Sequence, residues 1–250
     1  MVPFPVPLPA ALLLDLDDTI LDDSGAVEEC WRTACRSHCP PTIRQDELWG
    51  AVKRVGEWFW SDPERHRLGR LELNAARAEV VRLALEQLGV LDPQLSEQIA
   101  ATYARLRDAA IAELPDAIDT VRWLQTSGCR LAMLTNGAGA AQRKKISQFA
   151  LDDLFDEILI EGEVGFGKPD ERIYRLALAR LDVAPQETWM IGDNLEWDVA
   201  APQQLGLFSI WVDTKGMGVP AHRAVKPDRI VRRLADLRLD VDLAVRLRAG

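Results

Sequence analysis

Acidic residues directly follow the first strongly apolar stretch of the sequence. In the segment ALLLDLDDT, residues 11–19, Asp15 and Asp17 follow a run that is typical of a strand buried on both faces. Residues two apart in an extended chain project to the same side, so both carboxylates face one place. Because a buried carboxylate without a partner is costly, the pattern predicts compensating positive charge at the end of this strand.

Further polar residues follow other apolar stretches or lie in the loops between them. Thr135 and Asn136 follow a second predicted strand, Asp193 follows a later one with Asp198 shortly after it, and Lys168 lies in a loop between the two. In doubly wound sheets, ligands bind beyond the carboxyl ends of the strands. We therefore expect these residues to meet the first pair of carboxylates at one rim of the sheet.

Several carboxylates at one rim require a cation. Two like charges about 4 Å apart repel by about 4 kcal/mol at an effective dielectric constant of about 20. Carboxylate oxygens are hard ligands, which indicates Mg²⁺. Lys168 would offset more of the negative charge, and a substrate phosphate would complete the site.

The elements that must position these residues fall into two patterns. From residue 115 onwards, short apolar strands alternate with helical stretches, which indicates an α/β fold with a doubly wound, Rossmann-like parallel sheet. Residues 22–114 show helical periodicity without convincing strands, as in the stripe of Val81, Leu85 and Leu88. We predict a core formed by residues 1–21 and 115–250, with a helical domain inserted after the first strand. The basic run 143–145 is expected on a solvated helix face, and an amphipathic helix is expected to close the chain.

Composition excludes several classes of protein. The net charge of −9 argues against a nucleic-acid binder, and no apolar run is long enough to span a membrane. The start reads as a proline-rich leader and not as a signal peptide, because it lacks a basic region. A cytoplasmic location with reduced thiols follows as an expectation. The spacing of the cysteines around His38 does not fit the usual zinc ligand pairs.

Four short motifs carry a resemblance to a known family. In chain order they are DLDDT, LTNG, GKPD and GDNLEWD, each at a predicted strand end or in a loop. Together they resemble the ordered motifs of the haloacid dehalogenase-like (HAD) hydrolase superfamily, and the stretch 115–213 resembles its capped phosphatase branch. The resemblance implies that the inserted helical domain is a cap that closes over the substrate and supplies specificity.

The resemblance also implies roles for the acidic and polar residues. Asp15 matches the nucleophile that forms an aspartyl-phosphate, and Asp17 matches the general acid and base. Thr135, Asn136 and Lys168 match the groups that hold phosphate, and Thr135 and Lys168 are counted with the catalytic residues. The implied metal contacts come from four residues: Asp15, Asp17 through its backbone carbonyl, Asp193, and Asp198 directly or through water.

Two positions distinguish this chain within the superfamily. True dehalogenases of this superfamily lack an acid where this chain has Asp17, because the departing halide needs no proton. Phosphonate-cleaving members also lack it and use a lysine of the cap. Many relatives carry glycine at the next position, where this chain has Asp18, and we expect the aspartate to be tolerated in the turn.

The sequence therefore predicts a Mg²⁺-dependent phosphatase that hydrolyses a small phosphorylated metabolite through an aspartyl-phosphate. A sugar phosphomutase on the same scaffold and a non-catalytic phosphate-binding protein remain alternatives. The identity of the substrate and the oligomeric state stay open at this point.

Overall fold

The first strand lies at the centre of a parallel sheet. In the computed structural model, which describes residues 8–238, β1 (Ala11–Leu14) is buried along its whole length. It pairs in parallel with β4 (Arg130–Thr135) on one side and with β6 (Thr188–Gly192) on the other. The other strands of this sheet are β5 (Glu157–Ile160), β7 (Phe208–Val212) and β8 (Arg229–Val231), and the strand order is β5-β4-β1-β6-β7-β8. A strand covered on both faces is apolar at every position, which accounts for the run ALLL.

Helices connect these strands and cover the sheet. Asp170 caps the N-terminus of the helix Glu171–Leu181 by accepting a hydrogen bond from the Arg172 N–H, and Tyr174 on this helix is buried in an apolar cluster with Leu134 and Met190. The predicted doubly wound, Rossmann-like sheet with flanking helices is thereby confirmed. The helices of this unit are α6 (Ala117–Thr126), α7 (Gly139–Gln148), α8 (Glu161–Val164), α9 (Glu171–Leu181) and α10 (Ala201–Gln204). A short antiparallel pair, β2 (Leu21–Asp22) and β3 (Ala112–Glu113), completes it.

A second compact unit comprises Asp23–Ile111, and residues 8–22 and 112–238 form the first. The regular elements of the unit Asp23–Ile111 are all helices. This unit has an apolar core of its own, in which Val81 and Leu85 are buried. The ring of Trp31 stacks on that of Tyr103 with centroids 3.7 Å apart. Its helices are α1 (Val27–His38), α2 (Gln45–Ser61), α3 (Pro63–Leu71), α4 (Leu73–Gln87) and α5 (Pro93–Ala110). The cap role of the segment 22–114 stays a prediction.

Two sequence-based expectations concern the ends of the chain. The proline-rich leader and most of the closing amphipathic helix lie outside the described residues. Within residues 8–238, no helix is both long enough and apolar enough to cross a membrane.

Candidate active site

Asp15 is fixed at the carboxyl end of β1 by the sheet itself. Its backbone N–H donates to the carbonyl of Ile191, which extends the pairing of β1 with β6 by one more residue. The residue is only 7% exposed, and its Oδ1 accepts a hydrogen bond of 2.8 Å from the backbone N–H of Leu16. None of the described residues donates a hydrogen bond to Oδ2 of this carboxylate. The carboxylate is therefore held by one oxygen and offers the other.

A tight turn follows Asp15 and brings Asp17 to the same rim. The N–H groups of Ile20 and Leu21 both donate to the carbonyl of Leu16, and the N–H of Asp18 donates to the carbonyl of Leu21. Asp18 has a φ of 57°, in the left-handed region that glycine occupies most easily. Aspartate is one of the few other residues that adopt this region readily. The turn is therefore compatible with Asp18 where many relatives carry glycine.

Lys168 is the cation that the sequence led us to expect near Asp15. Its side chain is 1% exposed, and its Nζ lies 2.9 Å from Asp15 Oδ1 and 2.6 Å from Asp198 Oδ1. Burial by itself would lower the pKa of Lys168, but the charges of the two carboxylates raise it overall. The ammonium group therefore stays protonated and uses two of its three hydrogens on these carboxylates.

Three carboxylates converge beside this ammonium group. One oxygen each of Asp15, Asp193 and Asp198 lies within 4.8 Å of the other two. Burial raises the pKa of Asp15 to about 7, and Lys168 only partly opposes it. Burial, together with the charges of Asp15 and Asp198, raises the pKa of Asp193 to about 8. The three carboxylates carry more negative charge than the single ammonium group of Lys168 offsets. A divalent cation would reduce the remaining repulsion between them.

The carboxylates of Asp15 and Asp193 fit Mg²⁺ better than that of Asp198 does. Mg²⁺ takes oxygen ligands and keeps several waters, and both Asp15 and Asp193 offer oxygens to such an ion. Asp198 is fully buried, and both its oxygens are used: Oδ1 by Lys168 and Oδ2 by the backbone N–H of Asn194 at 2.9 Å. Asp198 is thus better placed to hold Lys168, or to reach a metal through water, than to bind one directly.

Asn136 lies close to Lys168, and its side chain binds the backbone of that residue. Its Oδ1 accepts from the backbone N–H of Lys168 at 2.8 Å, and its Nδ2 donates to the backbone carbonyl of the same residue at 2.6 Å. The side chain therefore anchors the lysine loop to the end of β4. The predicted phosphate contact of Asn136 stays a prediction, and it would have to be made by the backbone N–H.

Two side chains of α7 contact Asp17. Gln142 Nε2 donates to Asp17 Oδ2 at 2.9 Å and also to the hydroxyl oxygen of Thr135, and Lys145 Nζ lies 2.8 Å from Asp17 Oδ1. The expectation that the whole run 143–145 faces solvent is wrong for Lys145, whose side chain is 14% exposed. The sequence does not distinguish Lys145 from its basic neighbours Arg143 and Lys144, so its contact with Asp17 was not predicted.

Comparison with known proteins assigns the family. The family model of the haloacid dehalogenase-like hydrolases matches residues 9–206, which include every acidic residue of this cluster. The chain belongs to this family. Its predicted membership in the HAD superfamily is confirmed.

Two curated relatives of this HAD hydrolase are phosphatases. It is 34% identical to a phosphoserine phosphatase of Thermus thermophilus, over 91% of this chain and 96% of that protein. It is 27% identical to a glyceraldehyde 3-phosphate phosphatase of Methanopyrus kandleri, over 80% of this chain and 82% of that one. The predicted enzyme class, a hydrolase of the phosphatase type, is confirmed by these relatives.

A solved structure also supports the fold. The HAD hydrolase YfnB of Bacillus subtilis, solved with bound magnesium, superposes with a TM-score of 0.73 at 22% identity. The match covers 94% of this chain and 100% of that one.

Gly192 of this hydrolase leaves room for Asp198. A Cβ at Gly192 would overlap the carboxyl group of Asp198, which is fully buried and cannot withdraw. We expect Gly192→Ala to displace Asp198 from Lys168, to lower the midpoint of urea unfolding and to reduce activity at least about tenfold. Circular dichroism and phosphate release measure the two effects.

Gly56→Ala is the matched control for this substitution. A Cβ there meets only Val80, at 3.9 Å, and the site lies inside α2. The control is expected to be neutral or to stabilise by up to about 1 kcal/mol. Equal behaviour of the two variants would contradict the account of Gly192.

Proposed function

We propose that this enzyme is a Mg²⁺-dependent phosphatase that hydrolyses a small phosphorylated metabolite through an aspartyl-phosphate on Asp15. The observation that carries the proposal is the meeting of Asp15, Asp193 and Asp198 around one buried ammonium group, with Asp17 held at the same rim. A cluster of this charge is suited to a dianionic phosphate only together with cations.

The first half of the reaction transfers the phosphoryl group to the enzyme. Asp15 Oδ2 attacks phosphorus, and the bond from phosphorus to the leaving oxygen breaks while that oxygen takes a proton from Asp17. Lys168 offers its remaining hydrogen to a phosphate oxygen, because its other two are used by carboxylates. Thr135 offers its hydroxyl to another phosphate oxygen.

The second half returns the phosphoryl group to water. Asp17, now ionised, accepts a proton from a water molecule as that water attacks phosphorus. The bond between phosphorus and Asp15 breaks, inorganic phosphate leaves, and Asp17 is again protonated for the next leaving oxygen. The nucleophile and the acid are therefore distinct groups with distinct tasks.

Mg²⁺ would be held by the carboxylates of Asp15 and Asp193 and by the backbone carbonyl of Asp17, with Asp198 in contact directly or through water. When bound, it supplies positive charge that stabilises the phosphoryl group in the transition state. The fit rests on the oxygen donors and on the raised pKa values of Asp15 and Asp193.

The substrate is proposed to be a small phosphate monoester. The names of the two phosphatase relatives, which act on phosphoserine and on glyceraldehyde 3-phosphate, support metabolites of this size. We further propose that the helical unit Asp23–Ile111 acts as the cap and determines specificity, since it folds around its own core. A panel of phosphorylated metabolites that includes these two compounds tests the substrate class.

The rival functions make different predictions. A phosphomutase returns the phosphoryl group to a sugar, so isomerisation without release of phosphate would favour it. A non-catalytic binding protein has no need of a nucleophile, an acid and a metal ligand together, whereas this chain keeps Asp15, Asp17 and Asp193. A dehalogenase has no use for a proton donor at Asp17.

The direct test is hydrolysis of 4-nitrophenyl phosphate. We expect turnover in the presence of Mg²⁺, loss of turnover when EDTA removes the ion, and recovery when Mg²⁺ is added back in excess. Release of nitrophenolate and of inorganic phosphate should agree in amount. Turnover that persists unchanged after exhaustive chelation would refute the metal requirement.

A further inference from the structure

We propose that Gln142 and Lys145 are positioning residues that hold the carboxyl group of Asp17 in line with the leaving oxygen of the substrate. The inference rests on the proposed function, because it concerns the proton donor of that reaction. None of the HAD motifs quoted above overlaps α7, because LTNG ends at residue 137 and GKPD begins at residue 167, so neither residue belongs to them.

Each oxygen of Asp17 has its own donor. Gln142 Nε2 reaches Oδ2 at 2.9 Å, and Lys145 Nζ reaches Oδ1 at 2.8 Å. The two donors are three residues apart on α7, so they lie on the same helix face about one turn apart. A carboxylate held at both oxygens by one rigid helix cannot rotate about its terminal bond without losing a charge-assisted bond. Its direction is therefore set by α7 and not by the turn that carries it.

Gln142 also connects Asp17 to the phosphate-binding end of β4. Gln142 is 3% exposed, and its amide nitrogen donates to both Asp17 Oδ2 and the hydroxyl oxygen of Thr135. Turning the amide around would point its oxygen at the carboxylate, which charge repulsion opposes. Since the Thr135 oxygen accepts from Gln142, its own hydrogen is directed elsewhere and is available to a phosphate oxygen. One side chain thus orients the proton donor and a phosphate ligand together.

A positioning role has a signature that a structural role lacks. A proton from Asp17 is needed when the leaving oxygen is strongly basic, as in phenyl phosphate, and hardly needed for 2,4-dinitrophenyl phosphate, whose leaving group departs as the anion. The parameter kcat/KM reports the steps up to cleavage of the ester, so it isolates the acid step from the later attack of water. A misaimed Asp17 therefore lowers kcat/KM selectively for the basic leaving group.

The experiment measures kcat/KM for both esters with Lys145→Met. We expect a loss of at least about tenfold with phenyl phosphate and of less than about twofold with 2,4-dinitrophenyl phosphate. Lys145→Arg keeps a charged donor and is expected to recover most of the loss. Lys144→Met removes a positive charge from an exposed position of the same helix and is expected to change neither value.

Gln142→Leu provides a second, independent variant. Leucine has a volume similar to that of the buried glutamine but cannot donate a hydrogen bond. It is expected to show the same dependence on the leaving group and, because Thr135 loses its donor, weaker inhibition by inorganic phosphate. Equal losses on both esters in the Lys145 and Gln142 variants would overturn the positioning role. An inactive wild-type enzyme, or an active Asp15→Asn variant, would instead overturn the proposed function, so the two failures are distinguishable.

Discussion

Phosphate release is expected to fall by at least about 10⁴-fold when Asp15 is replaced by asparagine. The amide is almost the same size as the carboxylate, so the fold is retained. Its oxygen carries no full negative charge and cannot form the aspartyl-phosphate, so the whole route through a covalent intermediate is closed. Assays of phosphate release with Mg²⁺ and 4-nitrophenyl phosphate measure the loss, and circular dichroism checks the fold.

Asp92→Asn is a matched control for this substitution. Asp92 caps the N-terminus of α5 by accepting from the Leu95 N–H, and asparagine caps helices equally well. Its activity is expected to equal that of the wild type, because Asp92 belongs to the helical unit and to none of the groups assigned to the chemistry. Wild-type turnover in Asp15→Asn itself would refute the nucleophile assignment and, with it, the covalent route.

Much of the fold and of the site could be predicted because the relevant signals are local. The apolar run before Asp15 reports a strand buried on both faces, and the structure confirms it as a central parallel strand. Parallel strands bring their carboxyl ends to one edge, so Asp193 could be expected at the same edge as Asp15. The pairing of β1 with β6 then brings the two carboxylates together. The placement of Lys168 beside the carboxylates could also be predicted from the sequence, because a buried acidic cluster requires a cation.

The remaining contacts depend on how elements rotate against each other. Whether Lys145 points to solvent or to Asp17 is decided by a rotation of α7 that its polar composition does not reveal, because a run of three basic residues looks alike on every face. The same holds for the two bonds of Asn136 to the Lys168 backbone, which join residues 32 apart in sequence. Such pairings are properties of the packed structure and carry no periodic signal.

Replacing Lys168 with methionine is expected to remove activity and to destabilise the protein by about 3–5 kcal/mol in the absence of a metal. The ammonium group is fully buried between Asp15 and Asp198, and its loss leaves both carboxylates without a cation. Urea unfolding in EDTA measures the destabilisation. Added Mg²⁺ should restore part of the stability, because the ion supplies positive charge to the same carboxylates. Lys53→Met, at an exposed site, should change stability by no more than about 0.5 kcal/mol.

The double variant Lys168→Met/Asp198→Asn separates lost charge compensation from lost packing. If the single variant is unstable because Asp198 is left buried and unpaired, neutralising that carboxylate should return part of the lost stability. The asparagine can still accept from the Asn194 N–H through its carbonyl oxygen, so the local turn keeps its hydrogen bond. Activity should stay absent, since the phosphate has still lost its ammonium donor. A double variant less stable than Lys168→Met would mean that the ion pair is not what this buried lysine contributes to the fold.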